Sequence, residues 1–286
     1  MGAEELMKNL IVFIAAVLLT ISRAGAADTP EEAALRERLT TFYTSKPGFR
    51  LPSYAPKLDA AFDHSDWRTL KGELDKIYSS MKGVDDLGLI MNWELLRLAN
   101  GGGYVVAKLY AVDSWNMALS FERAGRPGAD DMKKRAFSNT LYTIALIAVD
   151  SPMCKDMSAP SNRMAEYRFA ARDAIRFGQS LREDDKKRVI DFALRQEKLF
   201  APLRKKDDAL CRGGNDEAMA AMNAVKDFEK AKEVPADPSR PGRNYLIEAP
   251  GEYHPQYKPD AEWKKTRDEV RPTLRGQLET LLIAPK

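Results

Sequence analysis

Residues 136–149 read AFSNTLYTIALIAV, a run of fourteen positions without a charged side chain in a chain of 286 residues. Apolar residues would occupy every side of a helix formed by this run, and a charged segment that begins at Asp130 precedes it. Fourteen residues are too few to cross a bilayer, which takes about 20 apolar residues. The run therefore predicts a helix over Asp130–Val149 whose second half is buried on nearly every side.

A second apolar helix is predicted directly before it, over Tyr104–Arg123, so that the two helices form the centre of the fold. Segments of helical periodicity surround this pair, and none alternates apolar and polar residues convincingly as a half-buried strand does. The flanking helices are predicted at residues 31–44, Lys57–Phe62, Trp67–Met81, Asp85–Leu98, Ser161–Gly178, 183–200 and Asp216–Lys232. We therefore expect an all-α fold, an irregular array of helical hairpins around two central apolar helices.

Two of the outer helices carry apolar side chains at helical spacing that we expect to face the core. The segment Ser180–Glu183 has the spacing of a capping box. The expected inner face of the helix that follows carries Val189, Phe192, Ala193, Leu199 and Phe200. Met219 and Met222 hold corresponding places in the next helix.

The composition changes after the helical domain predicted over residues 27–233. Residues 234–259 are rich in proline and tyrosine, which forbids a long helix and predicts an ordered strap across the bundle. Residues 260–286 are expected to form a C-terminal helix that packs on the same domain. The pair Arg271-Pro272 should kink or break that helix.

The first 26 residues have the organisation of a secretory signal peptide. Leu10–Ile21 is an uncharged apolar run, Lys8 precedes it, and Ala24-Gly25-Ala26 matches the small-x-small pattern of a signal-peptidase site. Translation from Met7 would fit better, because it removes two glutamates from the region before the run. We expect removal of residues 1–26, a periplasmic or secreted location, and no transmembrane segment in the mature chain.

The mature chain contains two cysteines, Cys154 and Cys211. Export places them where disulfides persist, and neither belongs to a Cys-x-x-Cys redox motif. The sequence therefore predicts a single structural disulfide between them.

The charge and the motifs exclude several function classes. Lys and Arg number 45 against 42 Asp and Glu, and this net charge of +3 gives no strong attraction to nucleic acid. The motifs His-Glu-x-x-His, Gly-x-Ser-x-Gly, Gly-x-Gly-x-x-Gly and the Walker A loop do not occur, and His64 and His254 are far apart in sequence. We therefore assign no catalytic residue, metal site, cofactor or nucleic-acid partner.

A carboxylate-dependent hydrolase is harder to exclude, because it needs only two acids that the fold brings together. Glu94 and Glu122 are the acids nearest the central helices, and Glu166 follows Cys154 in sequence. Surface ion pairs would explain the same three acids, so both interpretations stay open.

Arg168, Arg172 and Arg176 recur every four residues within the predicted helix Ser161–Gly178. Three guanidinium groups on one helical face would suit the phosphate or carboxylate groups of a protein or an anionic envelope component. A solvated face balanced by the acidic turn Glu183–Asp185 would explain the same pattern. We carry the three arginines forward as candidate binding residues.

Asp113, Asn116 and Asn139 are polar residues within the two most apolar helices. If they are buried they must be hydrogen-bonded, either to each other or within a ligand pocket. We expect mutual pairing and keep the pocket as the alternative.

These observations favour an exported binding or structural protein of the cell envelope without enzymatic activity. A secreted carboxylate-dependent hydrolase of an envelope polymer is the first alternative, and it needs a cleft with two facing acids. A small-ligand carrier is the second, and it needs a sizeable apolar cavity that reaches Asp113 or Asn116.

Overall fold

The computed structural model describes residues 28–225, 232–234, 244–246 and 253–283. Its helices are α1 (Pro30–Thr44), α2 (Ala55–Asp63), α3 (Trp67–Ser80), α4 (Val84–Ala99), α5 (Tyr104–Arg123), α6 (Ala129–Asp150), α7 (Ser158–Ala170), α8 (Arg172–Ser180), α9 (Glu183–Phe200), α10 (Asn215–Ala224), α11 (Asp260–Val270) and α12 (Leu274–Leu281). Two three-residue strands, β1 (Lys232–Val234) and β2 (Asn244–Leu246), pair antiparallel. The fold is all-α, as the sequence predicts, and the signal peptide assigned to residues 1–26 lies outside the described residues.

The centre of the fold is the pair α5 and α6, which pack against each other along their length. The side chains of α6 from Ala136 to Val149 are buried, apart from the half-buried Ala148. α4 packs on α5 and α9 packs on α6, so other helices enclose the pair. The burial predicted from the uncharged run is confirmed. No helix within the described ranges has both the length and the apolarity that a membrane span requires.

The single helix predicted over Ser161–Gly178 is wrong, because the chain breaks at Ala171 into α7 and α8. In α8, Gly178 lies directly against Phe137 of α6, where a Cβ atom would come within 2.0 Å of the ring. The capping box predicted at Ser180–Glu183 is also wrong. Ser180 ends α8 instead, and its hydroxyl donates to the Phe177 carbonyl at 2.7 Å.

Four apolar side chains expected to face the core are exposed instead, namely Phe192, Leu199, Met219 and Met222. The rest of the predicted stripe of α9 is buried, namely Val189, Ala193 and Phe200, together with Ile190. α10 ends at Ala224 and not at Lys232, which lies in β1. Its buried contact is the small side chain of Ala221, so the methionines remain outside.

The described part of the strap, residues 253–259, lies beside the predicted Cys154–Cys211 disulfide, which is present with its Cα atoms 5.2 Å apart. Tyr257 forms an antiparallel bridge with Cys154, supported by the hydrogen bond from Lys155 N to Gln256 O at 3.0 Å. Of residues 234–252, the structure describes Val234 in β1 and Asn244–Leu246 in β2, and the others lie outside the described residues. The pairing of Tyr257 with Cys154 fixes the chain just before α11 begins.

The C-terminal helix is interrupted at the predicted Arg271-Pro272 position by a short 3₁₀ turn, Arg271–Thr273. Trp263 of α11 and Leu278 of α12 are buried in the main core. Both helices contact α6, and α12 also packs on α9.

Candidate functional site

A broad groove of about 2330 Å³ runs along one part of the described molecule. Its lining comes from α3, the first turns of α5, α7, the segment 201–213, residues 253–254 and α11. Pockets for small molecules usually enclose roughly 300–1,000 Å³. The groove is therefore large enough for a ligand much bigger than a metabolite.

The segment 201–213 carries charged side chains into the groove, and covalent and steric contacts fix it. Cys211 is held by its disulfide to Cys154. Gly101 ends α4 with φ +87°, so close to the segment that a Cβ atom would lie 2.1 Å from the Leu203 carbonyl oxygen. Only glycine tolerates both that backbone conformation and that approach.

Asp207 ties the same segment to α5. Its carboxylate accepts hydrogen bonds from the backbone N–H of Tyr104, at the start of α5, and of Leu210 at 3.1 Å. Burial raises the pKa of Asp207 to about 6, against the two backbone hydrogen bonds, which favour the charged form. This half-buried carboxyl thus caps the start of α5, and its raised pKa lies near 6.

Ion pairs bring cations to the groove beside Tyr104. Lys108 and Arg163 both contact Glu166, at 2.5 Å and 3.0 Å. Burial would raise the pKa of Glu166, but the hydrogen bonds and charges of these two cations hold it below its usual value. The Tyr104 hydroxyl is buried and has no hydrogen-bond partner among the described residues. This part of the groove is polar and carries more cationic than anionic groups.

Aromatic rings alternate with these charges along the lining, including Trp67, Tyr253 and Trp263. Trp67 and Tyr253 are half-buried, so each presents part of its ring. The Nε1 atom of Trp67 has no hydrogen-bond acceptor among the described residues. The lining therefore combines flat apolar faces with charged side chains.

Behind the groove wall lies a pair of buried acids. Tyr78, which lines the groove, donates a 2.7 Å hydrogen bond to Asp113 of α5. The Glu94 carboxyl of α4 faces Asp113, is fully buried, and has no other hydrogen-bond partner among the described residues. Two acids in such contact need a proton between them, because like charges repel.

The electrostatics of the pair agree with a shared proton. Burial, followed by the charge of Asp113, raises the pKa of Glu94 well above its usual value. Burial also raises the pKa of Asp113, although the hydrogen bond from Tyr78 opposes the change. The sequence offered a signal for this burial, because Glu94 stands four residues from both Ile90 and Leu98, which are buried on the same face of α4.

The three candidate acids of a hydrolase lie in different surroundings. Glu94 is inside the core, Glu166 lies in the groove within its ion pairs, and Glu122 is exposed and paired with Lys133 at 2.7 Å. No two of them form a facing pair across the groove in the described structure.

The three candidate arginines do not share one continuous helix, because Arg168 precedes the break at Ala171. All three side chains are exposed, and none lines the groove. Arg172 and Arg176 lie 4.0 Å and 3.5 Å from Asp173. The geometry thus separates them from the groove.

The three polar residues of the central helices do not pair with each other, contrary to expectation. Asp113 accepts from Tyr78, while Asn139 donates to Ser114 at 3.0 Å. Asn116 is exposed. The mutual pairing is wrong because Asn116 faces away from the contact between the two helices.

Sequence reasoning missed the groove itself. His64 and His254, nearly two hundred positions apart, both line it, although no group of three metal-ligating side chains is placed to hold an ion in the described ranges. Comparisons of this chain with models of protein families, with curated proteins and with solved structures find no match, so the function has to be inferred from the groove and its charges.

Proposed function

We propose that this protein is exported and binds an anionic polymer of the cell envelope in the groove without catalysing a reaction. The volume of the groove carries the proposal, since about 2330 Å³ exceeds the roughly 300–1,000 Å³ of a small-molecule pocket. A small-ligand carrier would leave most of this space empty, whereas a chain-like ligand would occupy it along its length.

Basic side chains of the groove, among them Lys108, Arg163 and Arg267, favour an anionic ligand. The Nε atom of Arg267 is itself buried and has no acceptor among the described residues. Lys108 and Arg163 contact Glu166, and the charge of Arg163 also acts on Glu217, so acids and cations are interspersed in this part of the groove. Oxyanions would supply both acceptors and negative charge.

The arrangement of the acids supports binding without catalysis. Two cations hold Glu166, and Glu94 lies in the core behind Tyr78. A glycan-cleaving enzyme uses two carboxyl groups that flank the scissile bond. The groove offers no such pair from the three candidate acids.

Export rests on the signal-peptide pattern of residues 1–26 and is consistent with the Cys154–Cys211 disulfide. N-terminal sequencing of the mature protein should therefore start at Ala27. A mature chain that retains residues 1–26 would contradict export by this route.

Binding is tested by fluorescence anisotropy with labelled polygalacturonate, dextran sulfate and neutral dextran. We expect the two anionic polymers to bind, with affinity falling as salt rises, and dextran not to bind. The groove variant Lys108→Gln/Arg163→Gln should bind at least tenfold more weakly. Its matched control is Arg176→Gln/Arg188→Gln, which removes two cations whose side chains are both 71% exposed outside the groove.

The control variant should bind as the wild type does. Equal binding of dextran, or equal loss in both variants, would contradict binding in the groove.

A further inference from the structure

Arg267 is a half-buried guanidinium in the groove wall without a hydrogen-bonded acid. Its side chain is 19% exposed, and the guanidinium lies over the ring of Trp263, 5.0 Å from the centroid. The Nε atom has no hydrogen-bond partner, and the one ion-pair contact of the side chain within the described ranges is to Asp268 at 3.9 Å. A guanidinium carries five N–H donors, and buried donors are nearly always satisfied.

The two acids whose charges act on Arg267, Asp150 and Asp268, are bound more closely by other arginines. Arg204 contacts Asp150 at 2.6 Å, and Arg271 contacts Asp268 at 3.0 Å. Burial, followed by the positive charge of Arg271, lowers the pKa of Arg267. An anion placed at Arg267 would relieve both effects.

We propose that Arg267 binds a carboxylate group of an acidic polysaccharide in the groove. The proposal rests on the proposed function and names the ligand class of the same site. The planar guanidinium matches a carboxylate with two parallel hydrogen bonds, and the ring of Trp263 restricts its orientation. Lys264, which also lines the groove, adds a second positive charge on the same helix.

The rings in the groove favour a polysaccharide over a polyphosphate. Trp67 and Tyr253 line the groove half-buried, and they offer flat apolar surfaces to the carbon faces of sugar rings. A polyphosphate chain has no apolar face to place on them. The aromatic rings, together with a guanidinium that has no hydrogen-bonded acid among the described residues, therefore suit sugars that carry carboxylates.

The test compares wild type, Arg267→Gln and the matched control Arg176→Gln, whose side chain is 71% exposed outside the groove. Binding of polygalacturonate, polyphosphate and dextran is measured by calorimetry, and the Arg267 Nε–H signal is followed by NMR. We expect polygalacturonate to shift that signal in the wild type. Arg267→Gln should weaken its binding at least tenfold, which corresponds to about 1.4 kcal/mol, and Arg176→Gln should leave it within twofold.

The outcomes separate the two proposals. If wild type binds polygalacturonate and Arg267→Gln binds it equally well, the role of Arg267 is overturned while groove binding stands. If polyphosphate binds more tightly than polygalacturonate and depends on Arg267, the carboxylate polysaccharide is overturned. If no polymer binds wild type, the proposed function fails. In that case, a shift of the Arg267 Nε–H signal on addition of sodium acetate would still support a carboxylate-binding site at Arg267. An unchanged signal would overturn that site as well.

Discussion

The hydroxyl of Tyr78 donates a 2.7 Å hydrogen bond to the carboxylate of Asp113, and this bond links the groove wall to an acid pair in the core. Glu94, on the far side of Asp113, has no cation to balance it among the residues that surround it in the described structure. The pair is stable only while it retains a proton, so its cost to folding depends on pH.

Replacing Glu94 with glutamine should stabilise the protein at neutral pH. Folding raises the pKa of Glu94 above its value of about 4.5 in the unfolded chain. The protonated carboxyl therefore contributes to the stability of the fold below about pH 4.5. This contribution is lost as the pH rises toward the pKa of Glu94 in the folded protein. Wild type should lose up to about 1.4 kcal/mol per pH unit over this range relative to Glu94→Gln. Denaturant unfolding at pH 4.5, 6 and 7.5 measures the difference.

The control for this experiment is Glu122→Gln, because Glu122 is an exposed acid whose partner is Lys133. Its unfolding free energy should follow the pH profile of wild type. Parallel profiles for wild type and Glu94→Gln would show that Glu94 does not hold a proton in the core.

The sequence predicted the parts of the fold that depend on local pattern. The uncharged run from Ala136 to Val149 indicated the buried helix, and the interruption at Arg271-Pro272 followed from the fixed geometry of proline. The break at Ala171 was missed because the apolar spacing continues through it.

The candidate site was less accessible to sequence reasoning. The groove joins Trp67, Arg163 and Arg267 from distant parts of the chain, and nothing in the neighbourhood of each residue indicates the others. The arginine pattern on α7 and α8 was locally conspicuous, yet those side chains lie outside the groove. Recognition sites built from long-range contacts leave no periodic signal.

Asp207 should titrate near pH 6. Its pKa rises from 3.8 to about 6 on folding because of burial, so its favourable contribution is complete below about pH 4 and is lost as pH rises through 6. The loss amounts to at most about 3 kcal/mol. An NMR titration of the Asp207 carboxyl carbon measures the midpoint, and Asp207→Asn should remove the corresponding slope from the stability profile.

A midpoint below pH 4 would contradict this expectation and would mean that the two backbone hydrogen bonds outweigh burial.

Removing the disulfide should destabilise the protein by about 4 kcal/mol on the chain-entropy model. Cys154 and Cys211 enclose a loop of 57 residues, and the bridge also lies beside the strap, where Tyr257 pairs with Cys154. Chemical unfolding of Cys154→Ser/Cys211→Ser against wild type gives the difference. Hydrogen exchange should increase at Lys155 and Lys258, whose backbone N–H groups bond across this junction.

If hydrogen exchange at these two amides is unchanged while the global stability falls, the strap keeps its position without the disulfide. The loop entropy would then account for the whole effect.

The same substitution should have opposite effects at two glycines. A Cβ atom at Gly178 would lie 2.0 Å from the ring of Phe137, which is fully buried and has no room to withdraw, so Gly178→Ala should cost roughly 1–3 kcal/mol. Gly72 lies inside α3 with nothing within 4 Å of its Cβ position. Gly72→Ala should therefore stabilise by about 0.5–1 kcal/mol, because alanine loses less backbone entropy in a helix. Denaturant midpoints of the two variants test the contrast directly. Equal effects would mean that α8 does not press against α6 as described.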